Sequence, residues 1–342
     1  MCLEFEKAEN RRMATGSIRI LLLAALAAIT SVTGAGEARA QAVAQGKPIR
    51  IIVGFAPGGA ADISARVLAT RLGESLGQNV IVENRTGGGG NIATEAVARA
   101  EPDGTTLLMA PLSNAVNETL AAKTLHAKFG TDLIAVAPVS QTAHILVTHP
   151  SLGVNSVADL IALAKSRPPG ELLSATSGRG ASTHLAIEMF NLMAGVKIAP
   201  VHYRGGAELT KDLLSGQVKL TFASIAPILQ YVKAGTLRGV ATTGLKRDNL
   251  LPDVPTVAES GLPGYEVLVW FGLLTTAGTP RPAVDRIAAA TADALKRPEV
   301  KTALAGLGFD PLTGTPDEFT AFYRNEVEKW RKVIEAAGLT NE

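Results

Sequence analysis

Cysteine is all but missing from this chain. The single one, Cys2, lies upstream of the point where an export signal would be cut, so the expected mature chain has no thiol. That excludes disulfides, cysteine-held metals and a cysteine nucleophile. Aromatic residues make up only 4%, too few for stacking platforms along bases or sugar rings. The net charge is +2 and no long basic run occurs, which leaves no electrostatic footprint for nucleic acid. The histidines are His126, His144, His149, His184 and His202, and none pairs with another at metal spacing along a helix. The patterns G-x-x-x-x-G-K-[ST], H-E-x-x-H and G-x-S-x-G are absent. With no nucleophile and oriented base to assemble, no catalytic residue, metal or cofactor is expected.

Long apolar runs are confined to the N-terminus. There Arg11, Arg12 and Arg19 precede "ILLLAALAAITSV", and "ARA" closes the segment at Ala38–Ala40. Basic, apolar and small-residue regions in that order predict a secretory signal peptide over residues 1–40, with Met13 as an alternative start. The run is too short for a comfortable membrane span, and no cysteine follows it to carry a lipid. The expected product is a free periplasmic monomer with no membrane insertion of its own.

The remainder alternates between strand and helix. "IRIIVGF", "NVIVEN", "TTLLMA", "LIAVAPV", "HILVTH", "ELLSAT", "KIAPVHY", "VKLTFAS", "LRGVATT" and "VLVWFGLL" are short and β-branched, as strands covered on both faces are. The helix after the first strand places Ile63, Val67, Leu68, Leu72 and Leu76 on one face. "SVADLIALAKSRPP" opens with a capping box, Ser156 to Asp159, and stops before Pro168. "STHLAIEMFNLMAG" is predicted to bury Leu185, Met189, Leu192 and Met193 and to close at Gly195. The last helix starts at Thr315 as cap, Pro316 and Glu318, and its stripe of Phe319, Phe322, Tyr323, Val327, Trp330 and Ile334 is predicted to pack on the body of the protein. Alternating β and α elements imply parallel sheets, and so many strands divide better into two sheets than one. Without a flexible linker between them, two close lobes joined by crossing strands are expected, with the ligand in the cleft at the strand ends.

Gly88, Gly90 and Ala93 match G-x-G-x-x-A after a strand, but the next strand ends in Ala110 and Pro111 where a dinucleotide site needs an acidic residue. The stronger signal is a set of Gly-, Ser-, Thr- and Asn-bearing loops at helix starts: "FAPGGAAD", "APLSNAVN", "ATSGRGASTHLA", "VHYRGGAEL" and "FASIAP". Each sets backbone N–H groups and small hydroxyls at the positive end of a helix, an arrangement that binds anions without chemistry.

Through "KPIRIIVGFAPGGAADISAR", "VIVENRTGGGGNIATEAVARAEPDGTTLLM", "VHYRGG", "LPDVPTVAESGLPGYEV" and "WFGLLTTAGTP", the sequence resembles the periplasmic substrate-binding receptors of tripartite tricarboxylate transporters, the Bug-type receptors. The resemblance spans nearly the whole mature chain. It implies an α/β two-lobed periplasmic-binding-protein fold (a Venus flytrap, type II-like), each lobe a mainly parallel sheet flanked by helices. Lobe 1 would comprise residues 46–141 and 257–342, and lobe 2 residues 142–256. It implies binding of a di- or tricarboxylate, an aromatic acid or an acidic amino acid, with delivery to permease subunits in the membrane or to a sensor kinase. An enzyme acting on a small carboxylic acid in the same cleft is the alternative. Carried over by position, the ligand-binding residues are Phe55, Ala56, Pro57, Gly58, Gly59 and Asp62 in the first loop. Ser113, Asn114, Thr176, Ser182, Thr183, His184, Tyr203 and Gly205 follow. Three positions depart from the family pattern: Arg179, Arg204, and Ala223 with Ser224. An added cation and a lost acid favour anions. Arg179 would contact a second carboxylate or face solvent at the rim. Asp62 would cap amides, order water or read an amine on the ligand.

Overall fold

The computed structural model describes residues 47–203 and 205–339. The expected signal segment and Arg204 lie outside them. In the first part of the chain, β1 (Ile49–Val53), β2 (Val80–Asn84) and β3 (Thr106–Pro111) are parallel and lie in the order β2-β1-β3. Ile49, Ile51, Ile52 and Val53 are all buried because helices cover both faces of the central strand. The covering helices are α1 (Ala60–Leu76), α2 (Asn91–Ala98) and α3 (Leu112–Leu120). The buried face of α1 is centred on Ala61, Ala65, Leu68, Leu72 and Leu76, while Ile63 and Val67 are only half-buried.

β4 (Leu133–Thr148) holds the two halves together. The sequence runs "LIAVAPV" and "HILVTH" are one continuous strand of 16 residues, not two. Leu133–Ala143 pairs antiparallel with β9 (Leu268–Thr276), and His144–Thr148 pairs antiparallel with β7 (Leu220–Ser224). The other side of its last turn carries β8 (Arg238–Thr242). Pro138, which has no N–H to donate, sits at one of the register shifts that bend the strand.

In the second part β5 (Leu173–Thr176) and β6 (Ala199–His202) run parallel to each other, and β7 runs parallel to β5, giving the order β7-β5-β6. Four helices flank them: α4 (Val157–Lys165), α5 (Ser182–Ala194), α6 (Gly206–Leu214) and α7 (Ile225–Lys233). The result is a curled mixed sheet of ten strands in which the outer strands of each half are parallel and the crossing strands antiparallel. β4 carries the chain from the first half into the second, and β9, back beside the first part of β4, pairs with it antiparallel.

After β9 come α8 (Arg281–Lys296), α9 (Pro298–Gly306), the short β10 (Asp310–Pro311) and α10 (Pro316–Ala336). The capping boxes expected at Ser156 and Thr315 are both formed, and Gly195 closes α5 in the left-handed conformation at φ 62°. Phe319, Tyr323, Trp330 and Ile334 of α10 are buried against the body, as expected. Phe319 fits because position 272 is glycine: a Cβ there would stand 2.1 Å from its ring. Leu192, in contrast, is 50% exposed, and the buried face of α5 runs instead through Leu185, Ala186, Met189 and Phe190. Phe190 packs in the core, tilted against Phe222 and edge-on to Tyr265, so the buried face keeps Leu185 and Met189 and leaves Leu192 outside.

Candidate ligand-binding cleft

Both parallel segments reverse strand order at a defined place, between β1 and β3 in the first half and between β5 and β7 in the second. Crevices open at the carboxyl ends of such neighbours, where helices leave the sheet in opposite directions. The sequence-predicted loops fall at these ends.

The loop after β1 is shaped by glycine and one carboxylate. Gly59 donates to the Ala56 carbonyl at 3.3 Å, with Pro57 second and Gly58 third at φ 80°, the residue pattern of a type II turn. Asp62, only 2% exposed, accepts from Gly58 N–H at 2.9 Å, from Asn84 Nδ2 at 2.9 Å and from Arg66 Nε at 3.0 Å. These bonds, the Arg66 guanidinium first among them, pull its carboxyl down to about 2. Asp62 therefore caps the turn and ties it to β2, and its oxygens are engaged within that network. Beneath the loop lies the glycine cluster. Gly87, Gly88, Gly89 and Gly90 all have positive φ, and a Cβ on Gly54 would meet Gly90 Cα at 2.8 Å. The Phe55 ring lies against Gly90. The glycines thus let two backbones pass in contact and seat Phe55.

Three helix starts meet one cavity of about 270 Å³. From α1 come Gly59, Ala60 and Ala61; from β3 and α3 come Pro111, Leu112 and Ser113; from α5 come Gly180, Ala181, Ser182 and Leu185. Phe55, Val269 and Phe271 complete the wall. The N-caps of these helices are Gly59, Pro111 and Ala181, and none makes a side-chain cap hydrogen bond. The starts of α2, α6, α7, α8 and α9 likewise make no side-chain cap bond, so what sets α1, α3 and α5 apart is that they meet at one cavity. Ser113 Oγ is buried and has no protein partner. Ser182 Oγ lies 2.8 Å from His144 Nε2, and burial pushes that imidazole down to about 4, which keeps it neutral.

The other sequence-predicted residues fall into distinct places. Ala56, Pro57 and Gly58 are exposed at the outer edge of the first loop. Asn114 is buried and donates to Thr94 Oγ1 at 2.6 Å. Thr176 is buried with its hydroxyl 2.7 Å from His202 Nδ1. His184 is buried, accepts from Gly180 N–H through Nδ1 at 3.0 Å and so holds the loop before α5. Tyr203 donates to Asp212 at 3.0 Å. Thr183 accepts from Ser177 N–H at 2.9 Å; with Ser224 it lines a second cavity of about 440 Å³ at the start of α6, where Gly205 is the N-cap. Arg179 is exposed beside Gly180, and its charge helps hold the His202 imidazole below its usual range, after burial of that ring. Among the described residues no cluster of His, Cys, Asp or Glu suited to a metal occurs. No helix among them is long and apolar enough to cross a membrane.

Sequence reasoning missed the apolar walls, Leu112, Leu185, Val269 and Phe271. Val269 and Phe271 belong to the returning strand β9, and their alternation around Trp270 in "VLVWFGLL" is the one local sign that two of its residues share a face.

Comparison with known proteins places the chain in a family. The family described as "Tripartite tricarboxylate transporter family receptor" matches residues 64–339. Protein BugT of Bordetella pertussis is 36% identical over 293 residues, covering 85% of this chain and 90% of BugT. The solved structure of R. palustris Rpa4515 with adipate is 34% identical with a TM-score of 0.72, covering 86% of this chain and 98% of that one. MatC from Rhodopseudomonas palustris with bound malate is 28% identical with a TM-score of 0.69, covering 85% and 99%.

Proposed function

This chain belongs to the tripartite tricarboxylate transporter receptor family, in its Bug-type branch, and from that premise we propose that it is a periplasmic receptor that captures a small carboxylate at the convergence of α1, α3 and α5. It hands the ligand to a membrane permease or a sensor and performs no chemistry on it. The observation that carries this reading is the convergence of three helix starts on one cavity. Backbone N–H groups left over at helix starts need an acceptor, and an anion supplies it. The adipate and malate held by two relatives support a carboxylate as that anion.

We assign the lobes as residues 46–141 with 257–342, and 142–256. The division of β4 between β9 and β7 supports this boundary. Closure then follows from ligand contacts to both lobes, Phe55, Gly59 and Ser113 on one side and Ser182 on the other, as a population shift. Ala56, Pro57, Gly58, Asp62, Asn114, Thr176, His184 and Tyr203 shape the loops that present these groups. Thr183, Gly205 and Ser224 flank the second cavity. Arg179 stands at the rim, where its charge attracts the anion.

A thermal-shift screen of small carboxylates tests the reading. A ligand at a hundred times its Kd stabilises by about 2.7 kcal/mol, a rise of several degrees in Tm. Absence of a shift with any small acid overturns the receptor reading, and turnover of a binding acid on incubation overturns its non-catalytic part. In Arg179→Asn the salt dependence of the best ligand's association should flatten.

A further inference from the structure

We propose that the ligand of this cavity carries one carboxylate on an apolar body, an aromatic or aliphatic monocarboxylic acid, in place of the dicarboxylates seen in two relatives. The proposal rests on the carboxylate reading above and specifies its class.

The walls decide it. Phe55, Leu112, Leu185, Val269 and Phe271 present only carbon to the space, and among the described residues no Lys, Arg, His, Asp or Glu lines it. The polar side chains of the lining are Ser113 and Ser182, one of which already holds His144. Positive potential comes from helix starts instead. Each helix terminus is equivalent to roughly half an elementary charge, so the starts of α1, α3 and α5 together supply about one and a half, enough for one carboxylate and short of the two that a diacid carries. A second ionised carboxylate inside the walls would be taken out of water against carbon with no charged side chain among the described lining residues to meet it, since Arg179 stands outside that lining, and this opposes binding. The neighbouring cavity at Thr183 and Ser224 is lined by a separate set of residues. A hydrocarbon body, in contrast, leaves water for walls of its own kind, and each added methylene tightens binding by roughly three- to fourfold until the space is filled. At about 270 Å³ the cavity is at the small end of ligand pockets, which suits a single ring or a short chain.

Isothermal titration of the exported protein with matched acids tests the proposal. Hexanoate is compared with adipate, benzoate with benzene-1,4-dicarboxylate, and butyrate with hexanoate. The expected result is that the monoacid of each matched pair binds at least tenfold more tightly than the diacid, and hexanoate about tenfold more tightly than butyrate. A diacid binding as tightly as its monoacid, or more tightly, overturns the proposal and leaves the carboxylate reading intact. Failure of all five acids to bind overturns both.

Discussion

Among the residues that set how this protein should respond to acid, two are buried at the loops and strands of the cleft. His144 sits on the crossing strand, buried, with its imidazole held neutral by desolvation and pushed down to about 4. The unfolded chain binds that proton from about pH 6.5 downward. Between those values the unfolded state holds more protons than the folded one, so stability falls as pH drops through the window. Asp62 acts in the next window. Its carboxyl is held near 2, below the 3.8 of an exposed group, chiefly by Arg66. Its stabilisation is complete above that ordinary value and is lost as pH falls toward 2. Thermal denaturation from pH 7 to pH 2 should therefore show two successive losses of Tm. His144→Leu should reduce the upper one and Asp62→Asn the lower. At pH 7 Asp62→Asn should cost about 1–3 kcal/mol, because the exposed turn and Arg66 lose a buried charged acceptor. An unchanged pH profile in either variant would disprove the assignment.

At the scale of elements, what could be read from sequence was what is local. The boxes at Ser156 and Thr315 and the closing Gly195 depend on residues within one turn of each other, and all formed as expected. What needed distant partners was misread or unseen. Leu192 is exposed while Phe190 packs with Phe222 and Tyr265 from remote segments. "LIAVAPV" and "HILVTH" looked like separate strands because Pro138 and the polar residues after it interrupt the apolar run; pairing with β9 carries the strand through that interruption. The two-residue β10 has no periodicity to detect. In the cleft, the glycine and serine loops were legible and the carbon walls were not, since Val269 and Phe271 reach the site from the far end of the chain. The fit of α10 on β9 gives the sharpest test at this scale. In Gly272→Ala the new methyl would overlap the Phe319 ring, so a loss of about 1–3 kcal/mol or more is expected. A Tm equal to that of the parent would show that α10 can shift without cost.

At the scale of the whole molecule, β4 runs from one proposed lobe into the other, β9 pairs along its first part, and α10 rests on β9. Trp270 of β9 and Trp330 of α10 both donate to Glu326 Oε2, at 2.9 and 3.1 Å, and Glu326 is buried and paired with Lys329. Trp270 is flanked in sequence by Val269 and Phe271, whose side chains line the cavity. Ligand capture that moves β9 must therefore disturb the setting of one indole in a chain that has only two tryptophans. Intrinsic fluorescence should change on binding, and Trp330→Phe should keep that change while Trp270→Phe abolishes it. A signal that survives in Trp270→Phe would place the moving part elsewhere. The shared carboxylate thus makes the protein its own optical gauge, so candidate acids can be ranked in plain buffer without a label or a transport assay.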